Sequence, residues 1–418
     1  MWHSLSMMLG EVEVKMKNKK LFLSSLIAVA LVGSICVAEN TSPGTLAYAE
    51  SIAYKMPLDV YGDIEIGAKA AYMMDFATKT PIYSKDETKR LPIASMCKIM
   101  TLLLSFEALE AGELTLDEAI TVSERAASMG GSQVFLEANA KYLVSELLKS
   151  IVVCSANDSC VAMAEKIAGS ESLFVEKMNE RAKALGMDNT LFANCTGLPK
   201  EPQYSCAKDV AVMLKELLAH EKYYEYGQVW MDKFQHPAGR YTEITNTNKL
   251  VRYYDGCDGG KTGFTNEAGF CLAATAKRKD MRIISVVIGE ENSKNRFEDV
   301  RTMFDYAFAN YLTTPLFMAG EALEEKVVVE GGKQKFISVC PERSVYAFSK
   351  RGEKADYSFE IDHLKARAPL KIGDNVGELI VYKDGVEIEK VALLAASDVK
   401  KANIFDRIQD VANGWTAR

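Results

Sequence analysis

Two pairs of strand-like segments enclose a block of helical segments, and this order restricts the fold more than any other feature of the sequence. The first pair covers residues 70–76 and 81–84, and the second covers residues 269–277 and 282–289. A short connection joins the segments of each pair, which predicts two β-hairpins. A further helix is expected at residues 295–311. The sequence therefore predicts an α+β domain in which both hairpins join a single antiparallel sheet.

Helical segments fill the region between the two hairpins. The first begins near Ser95 and runs to about residue 111, where Gly112 is a plausible C-terminal stop. Ser170 and Gly186 are in position to cap and to stop a later helix. The predicted helices after the first cover residues 143–153, 158–168, 170–185 and 209–218.

The composition changes beyond about residue 320. Short alternating runs separated by Gly, Lys and Asp predict a small β-rich, all-β domain at residues 321–396, after a larger domain at residues 50–320. Residues 397–418 carry apolar side chains at three- and four-residue steps and are predicted to form an amphipathic C-terminal helix. This tail helix either lies in a membrane interface or docks on its own domain.

Residues 1–49 have the features of an N-terminal extension and an export signal. A basic stretch at residues 16–20 precedes an apolar run at residues 21–37, which is short for a membrane span. Cleavage would follow Ala38 or Ala49, and the alternative is an uncleaved membrane anchor. We therefore expect an exported protein, either secreted or peripherally associated with a membrane.

Charge and residue counts exclude several classes of function. A formal net charge of -7 argues against a nucleic-acid-binding protein, which would carry a basic surplus. Only four histidines occur, in unrelated contexts, so neither a Ser-His-Asp triad nor a histidine-based zinc site is expected. Most of the nine cysteines lie inside apolar runs, where free thiols behave as small hydrophobic groups. The expected chemistry therefore uses no metal and no cofactor.

Three short motifs occur in an order that singles out one serine. The S-x-x-K spacing occurs three times, at Ser95/Lys98, Ser205/Lys208 and Ser397/Lys400. Only the first is followed by an S-x-N turn, Ser155 to Asn157, and then by the K-T-G sequence of Lys261, Thr262 and Gly263. The other two S-x-x-K matches are interpreted as exposed helix faces. Asp209 and Glu267, which lie near the motifs, are interpreted as structural.

Ser95 and Lys98 would lie one turn apart, with the serine as nucleophile and the lysine as its base. An amine accepts a proton only when neutral, so the pKa of Lys98 must fall. Burial and the nearby cation Lys261 would both lower it. The acyl-transfer reaction also needs two backbone donors for the oxyanion, and the N–H groups of Ser95 and Phe264 are the candidates.

The other motif residues have predicted roles in the same reaction. Ser155 would relay a proton toward the leaving group, and Asn157 would hold a substrate amide or Lys98. Lys261 and Thr262 would bind a substrate carboxylate. Gly263, which has no side chain, would let the strand edge approach the ligand closely.

The set S-x-x-K, S-x-N and K-T-G is typical of penicillin-binding proteins and serine β-lactamases. Longer stretches are more specific: the chain resembles low-molecular-weight penicillin-binding D-alanyl-D-alanine carboxypeptidases in DGGKTGFTNEAGFCLAATAKR, LGMDNTLFANCTGLP and NTNKLV. The strong resemblance covers about residues 50–315. It implies a penicillin-binding or β-lactamase-like fold, and it assigns the same roles to the motif residues. Three positions depart from the family pattern, with Ala156, Cys206 and Phe264 replacing a glycine, a threonine and a histidine that are common there.

The resemblance implies a serine-type carboxypeptidase that removes the terminal D-alanine from peptidoglycan stem peptides in cell wall biogenesis. β-Lactam antibiotics would inhibit it by acylating the serine. Three alternatives remain open at this point: a D,D-endopeptidase that cuts peptide cross-links, a β-lactamase, and a catalytically inactive cell-wall-binding protein.

Overall fold

The computed structural model describes residues 64–363, 366–406 and 408. These residues form two compact units: the first contains residues 64–317 and 345–353, and the second contains residues 318–344 and the described residues from 354 onward. The described strands are β1 (Ala70–Asp75), β2 (Pro81–Lys85), β3 (Ala119–Thr121), β4 (Lys141–Leu143), β5 (Met231–Gln235), β6 (Tyr241–Thr245), β7 (Cys257–Thr265), β8 (Gly269–Arg278), β9 (Met281–Glu290), β10 (Tyr311–Phe317), β11 (Lys326–Val328), β12 (Phe336–Pro341), β13 (Val345–Lys350), β14 (Tyr357–His363), β15 (Asn375–Lys383) and β16 (Val386–Ala395).

The α-helices of the described residues all lie in the first unit, apart from the short helical stretch at the C-terminus considered below. They are α1 (Lys98–Glu110), α2 (Glu124–Ala127), α3 (Val144–Cys154), α4 (Asn157–Ala168), α5 (Glu171–Ala184), α6 (Ala207–Leu217), α7 (Tyr223–Gly227), α8 (Leu250–Tyr253) and α9 (Ser293–Asn310). A 3₁₀ turn at Ala94–Cys97 leads directly into α1.

A five-stranded antiparallel sheet with the strand order β2-β1-β9-β8-β7 is the centre of the first unit. Both faces of the sheet are buried, one in each of two hydrophobic cores. Successive side chains of a strand point to opposite faces, so each strand contributes to both cores. In β1, Ala70, Tyr72 and Met74 join a core shared with α1, α3, α4 and α6. Ala71 and Met73 join a second core, shared with α9. Strand β7 forms one edge of the sheet.

The predicted framework of the first unit is confirmed. The hairpins are β1–β2 and β8–β9, and β1 pairs with β9 to place both in one sheet. Ser170 caps α5 by accepting from the backbone N–H of Leu173 at 3.2 Å. Gly112 and Gly186 follow α1 and α5 with φ of 72° and 69°, in the left-handed region that favours glycine. The short ribbons β3–β4 and β5–β6 were not predicted.

The second unit is an all-β structure, as predicted. Its sheet has the strand order β11-β12-β16-β15-β14, with antiparallel neighbours. One expected member differs: the run at residues 344–348 forms β13, which pairs with β10 and belongs to the first unit. Tyr311 of β10 stacks on Phe348 of β13 with 5.1 Å between ring centroids, and this contact holds the strand there.

The amphipathic helix predicted for the whole tail is not confirmed. Residues 397–403 are not helical, because Val399 is buried and exchanges two backbone hydrogen bonds, both 2.9 Å, with Leu370. Residues 404–406 and 408 are helical, and Ile404, Phe405 and Ile408 are exposed. The remaining tail residues lie outside the described part of the chain.

The export signal at residues 1–49 also lies outside the described residues. Within the part of the chain that the structure describes, no helix combines the length and the apolar character needed to cross a membrane.

Candidate active site

Ser95 lies in the 3₁₀ turn immediately before α1, and Lys98 is the first residue of that helix. The Nζ of Lys98 donates to the Oγ of Ser95 at 3.0 Å, the contact expected from the one-turn spacing. Ala94 enters the turn with φ of 48°, a left-handed conformation that is strained for a residue other than glycine. Strain of this kind is often concentrated at functional sites.

Lys98 is fully buried, and burial lowers its pKa below the usual value of 10.5. Its Nζ also donates to the backbone carbonyl of Thr196. Its titratable neighbours include Cys97 and Cys160, whose thiols have a pKa raised to about 12 by burial. These thiols are neutral at physiological pH, so they provide no negative charge that would stabilise the ammonium form of Lys98.

Lys261 lies on β7 and is also buried, with its Nζ donating to the carbonyl of Thr262 at 3.1 Å. Burial, followed by repulsion from the charge of Lys98, lowers the pKa of Lys261 well below its usual value. The predicted pair of neighbouring lysines is therefore present. Two buried ammonium groups repel each other in a low-dielectric surrounding, which favours the loss of one proton from the pair.

Gly263 brings β7 against the turn that carries Ser95. A Cβ at this position would lie 2.6 Å from the carbonyl oxygen of Ile93 and 3.3 Å from the Cβ of Ala94. No side chain fits in this space. Gly263 therefore lets β7 approach the turn that carries Ser95, while its predicted close approach to a ligand stays a prediction.

Phe264 follows Gly263 on the same strand, with half of its side chain exposed and its ring stacked on Phe270 at 4.3 Å. The predicted role of its backbone N–H stays a prediction. Thr262, which lies between Lys261 and Gly263 in the sequence, is also buried.

Ser155 and Asn157 lie in the turn between α3 and α4. Ser155 ends α3 with φ of 66°, and its buried Oγ has no hydrogen-bond partner among the described residues. Asn157 donates through Nδ2 to the carbonyl of Gly130 at 2.7 Å, while its Oδ1 has no partner there. Buried polar atoms without a partner are rare in folded proteins, and a bound ligand is one common explanation.

The S-A-N turn lies close to the two lysines. Burial raises the pKa of the thiol of Cys154, the residue before Ser155, and the positive charge of Lys261 partly opposes this shift. The charges of Lys98 and Lys261 both oppose the burial-driven rise in the pKa of the Cys160 thiol, which lies in the first turn of α4. The structure thus brings together all three motifs, which are up to 168 residues apart in the chain (95 to 263).

One supporting segment, residues 194–197, was noted only for its resemblance to a family. Besides the Thr196 carbonyl that accepts from Lys98, the carbonyl of Cys195 accepts from the hydroxyl of Thr101 at 2.7 Å. Gly197, with φ of 79°, packs so tightly that a Cβ would lie 2.0 Å from the carbonyl oxygen of Ala94. The segment therefore forms the floor beneath the nucleophile turn.

Sequence reasoning missed Arg296. This side chain of α9 is buried and donates to the carbonyl of Gly263 at 3.1 Å and to that of Cys271 at 3.4 Å. Burial lowers the pKa of Arg296 to about 10. No sequence motif indicates that Arg296 contacts β7. The residue lies in a charged stretch at the start of a helix, and only the fold directs its side chain toward that strand.

Other candidates have structural explanations. The Oγ of Ser205 is paired with the Oγ of Thr190 at 2.7 Å, and Ser205 is buried, so its interpretation as an exposed helix face was wrong. Ser397 is exposed but not helical. Asp209 is structural as predicted, since it accepts from the backbone N–H of Asn189 at 2.9 Å. Across the described residues, no three His, Cys, Asp or Glu side chains are grouped as metal ligands would be.

The eight cysteines of the described residues are unpaired, and six of them are buried. This agrees with the expectation of free thiols inside apolar runs.

Comparison with known protein families gives two matches. A family model described as D-alanyl-D-alanine carboxypeptidase matches residues 56–292. A second model, described as penicillin-binding protein 5, C-terminal domain, matches residues 311–401.

Relatives with curated names align over most of the chain. It is 40% identical over 375 residues to D-alanyl-D-alanine carboxypeptidase DacF of Bacillus subtilis, covering 89% of this chain and 96% of the relative. It is 30% identical over 358 residues to D-alanyl-D-alanine carboxypeptidase DacC of Escherichia coli, covering 82% and 87%. A D-alanyl-D-alanine endopeptidase of Escherichia coli is 32% identical, but over only 56% of this chain and 75% of the relative.

Solved structures agree with these relatives. Penicillin-binding protein 5 of Haemophilus influenzae superposes with a TM-score of 0.67 at 27% identity, covering 81% of this chain and 99% of that one. Penicillin-binding protein 3 of Streptococcus pneumoniae gives a TM-score of 0.67 at 28% identity, covering 81% and 100%.

Proposed function

The chain belongs to the D-alanyl-D-alanine carboxypeptidase family and is a serine-type D-Ala-D-Ala carboxypeptidase, and we propose that Ser95 is its nucleophile. The observation that carries this proposal is the contact between Ser95 and a fully buried Lys98, with the other two motifs beside them. In the proposed reaction, the hydroxyl of Ser95 attacks the carbonyl carbon between the two terminal D-alanines of a peptidoglycan stem peptide.

Lys98 is the proposed general base. In its neutral form, the amine takes the hydroxyl proton of Ser95 as the new C–O bond forms. The lowered pKa of Lys98, caused by burial, supports this role because it raises the neutral fraction at a given pH. The carbonyl of Thr196, which accepts from the same Nζ, holds the amine in place.

The negative charge that develops on the carbonyl oxygen needs preorganised donors. We assign this role to the backbone N–H groups of Ser95 and Phe264, one on the nucleophile turn and one on β7. The close packing of Gly263 against Ile93 supports the assignment, because it fixes the distance between these two elements.

The proton must then reach the leaving nitrogen. Ser155, whose Oγ is buried and unpartnered among the described residues, is the proposed relay from Lys98 to the departing D-alanine. The free Oδ1 of Asn157 accepts from the amide of the substrate, while its Nδ2 is held by the carbonyl of Gly130.

Lys261 and Thr262 are proposed to bind the terminal carboxylate of the stem peptide. A cation and a hydroxyl on an edge strand are suited to a carboxylate, and the carboxylate in turn stabilises the charged form of Lys261. D-Alanine leaves with the relayed proton, and a water molecule then hydrolyses the ester on Ser95. A β-lactam would form the same ester without a leaving group that diffuses away.

We propose that the protein acts on the extracytoplasmic face of the cell envelope, because its polymer substrate lies there. We retain residues 50–320 as the proposed catalytic domain, residues 321–396 as the β-rich domain and residues 397–418 as a segment for peripheral membrane contact. The exposed Ile404 and Phe405 support such contact.

Covalent labelling with fluorescent penicillin tests the nucleophile. We expect Ser95→Ala to abolish labelling and Ser397→Ala, a change in another S-x-x-K match, to preserve it. Labelling of Ser95→Ala at the wild-type rate would refute the assignment. Release of D-alanine from a soluble pentapeptide tests the activity, and a wild-type enzyme that cleaves cross-linked dimers but not pentapeptide would be an endopeptidase.

A further inference from the structure

A groove of about 390 Å³ lies in the first unit, between the short helix α8 and the first turns of α9. Its floor contains Leu250, and its walls carry aromatic and cationic side chains: Tyr253, Phe297, Lys249, Lys294 and Arg301. None of these residues belongs to the catalytic motifs. The groove therefore has no role in the reaction described above.

Two aromatic rings give the groove flat apolar surfaces. Tyr253 is 64% exposed, and its ring meets that of Trp230 edge-on at 5.8 Å between centroids. Phe297 is half-buried, and the guanidinium of Arg296 lies 4.8 Å from its ring centre. Aromatic rings that are held in place and open to solvent are suited to stacking against the apolar C–H face of a sugar ring.

The rim of the groove is cationic in a protein whose net charge is -7. Lys249, Lys294 and Arg301 face one acidic residue, Glu298, which pairs with Lys294 at 3.0 Å. Lys249 and Arg301 are exposed and form no ion pair with the described carboxylates. The groove therefore presents two free cations beside two aromatic rings, which complements a ligand that combines sugar rings with carboxylates.

The groove and the catalytic site share the K-T-G strand. Arg296, next to Phe297 on α9, donates to the carbonyl of Gly263, while the Cα of Gly263 packs against the nucleophile turn. These contacts connect the groove with the turn that carries Ser95, from Phe297 through Arg296 to Gly263.

We propose that this groove binds the glycan strand of peptidoglycan, with the carboxylates of a neighbouring stem peptide on Lys249 and Arg301 and a sugar ring on Tyr253. The proposal rests on the proposed function, because it takes the substrate polymer as the ligand. Binding of this kind holds the stem peptides near Ser95 at a high effective concentration, so it favours polymer over free peptide.

The test compares polymeric and soluble substrates. A Tyr253→Ala, Lys249→Glu, Arg301→Glu triple variant is expected to release D-alanine from purified peptidoglycan about tenfold more slowly than wild type, at sub-saturating substrate. Its rate with soluble pentapeptide and its penicillin labelling are expected to be unchanged. The matched control is Tyr241→Ala, Lys177→Glu, Lys183→Glu, which removes one exposed tyrosine and reverses two exposed lysines elsewhere.

Binding is measured separately with Ser95→Ala as the background, by co-sedimentation with peptidoglycan stripped of secondary anionic polymers. The groove triple variant is expected to lose most of this binding, and the control triple variant to retain it. Equal losses with polymer and pentapeptide, or undiminished sedimentation, would overturn the proposal. Sedimentation only with unstripped walls, or binding only to anionic phospholipid vesicles, would also overturn it. Failure of the proposed function can be distinguished from these outcomes, because wild type would then release no D-alanine from pentapeptide.

Discussion

The first unit contains two pairs of like-charged side chains, and they differ in what surrounds them. Lys98 and Lys261 lie beside Ser95 and the unpartnered Ser155 Oγ. At the end of β9, Glu290 lies beside Asp299 of α9, and its buried Oε1 has no partner among the described residues.

Burial is the largest cause of the pKa shifts of Lys98, Lys261 and Glu290, and in each case it favours the neutral form. The pKa of each lysine falls, whereas burial, then the hydrogen bond and the charge of Asp299, raise the pKa of Glu290 to about 8. The comparison teaches that a shifted pKa by itself does not indicate catalysis. Lys98 contacts Ser95, the proposed nucleophile, while Glu290 lies beside Asp299, which accepts from the backbone N–H of Gly67 at 2.8 Å. The acidic pair joins β9 and α9 to the segment that precedes β1.

The largest effect is expected from replacing Lys98, the proposed base, in the cationic pair. Lys98→Met keeps the apolar length of the side chain and removes the base. Because a general base contributes about 10²–10⁴-fold, we expect penicillin acylation to slow by about 10³-fold. Stopped-flow acylation measures this, with the melting temperature as a check on folding. An acylation rate within tenfold of wild type would assign the base to another group.

The second prediction separates Lys261 on β7 from the turn that carries Ser95, without changing a charge. Gly263→Ala places a Cβ 2.6 Å from the carbonyl of Ile93, so β7 must move away from the turn. A displacement of about 1 Å can reduce a rate about 10²-fold, and we expect a loss of this size in D-alanine release. Gly130→Ala is the control, since a Cβ at Gly130 meets nothing within 4 Å. Similar rates for the two variants would show that the close approach is unimportant.

The third prediction concerns the acidic pair and protein stability. The pKa of Glu290 is about 8 in the folded protein and about 4.5 when unfolded, so the folded state binds the extra proton between these values. The free energy of unfolding therefore decreases as the pH rises from about 4.5 to about 8, and it levels off above that. The partners that oppose the shift are Asn295 and Lys85.

Glu290→Gln removes this titration. We expect the variant to be more stable than wild type at pH 9, by roughly 2–4 kcal/mol at about 1.4 kcal/mol per pKa unit. Denaturant unfolding from pH 5 to pH 9 measures the difference, and activity on pentapeptide should change little. The exposed Glu243→Gln is the control. Identical pH dependence in Glu290→Gln and wild type would contradict a titrating Glu290.

The smallest expected effect tests how the two lysines influence each other. Lys261→Gln removes a positive charge near Lys98, so Lys98 should hold its proton more tightly. The acid limb of penicillin acylation should then move to higher pH, by up to about one unit. The pH profile is measured at saturating penicillin, which separates this shift from weaker binding. A profile that does not move would mean that Lys261 has no effect on the proton affinity of Lys98 in the penicillin complex.

Much of the fold followed from local patterns. The alternation in the hairpin segments and the caps at Ser170, Gly112 and Gly186 depend on neighbouring residues, and these predictions were confirmed. The run at residues 344–348 had the same local pattern as its neighbours. Its pairing with β10 could not be predicted, because it depends on contacts between residues distant in the chain, such as Phe348 and its ladder partner Thr313.

The sequence by itself determined which serine had partners. Only Ser95 is followed by S-x-N and K-T-G in order, and a lysine was the predicted base because no histidine was suitably placed. Tertiary structure alone decided the burial of Lys98, the packing of Gly263 against the turn, and the placement of Arg296 and residues 194–197. Desolvation, repulsion and steric fit depend on atoms from distant parts of the chain, so these features appear only when the chain is folded.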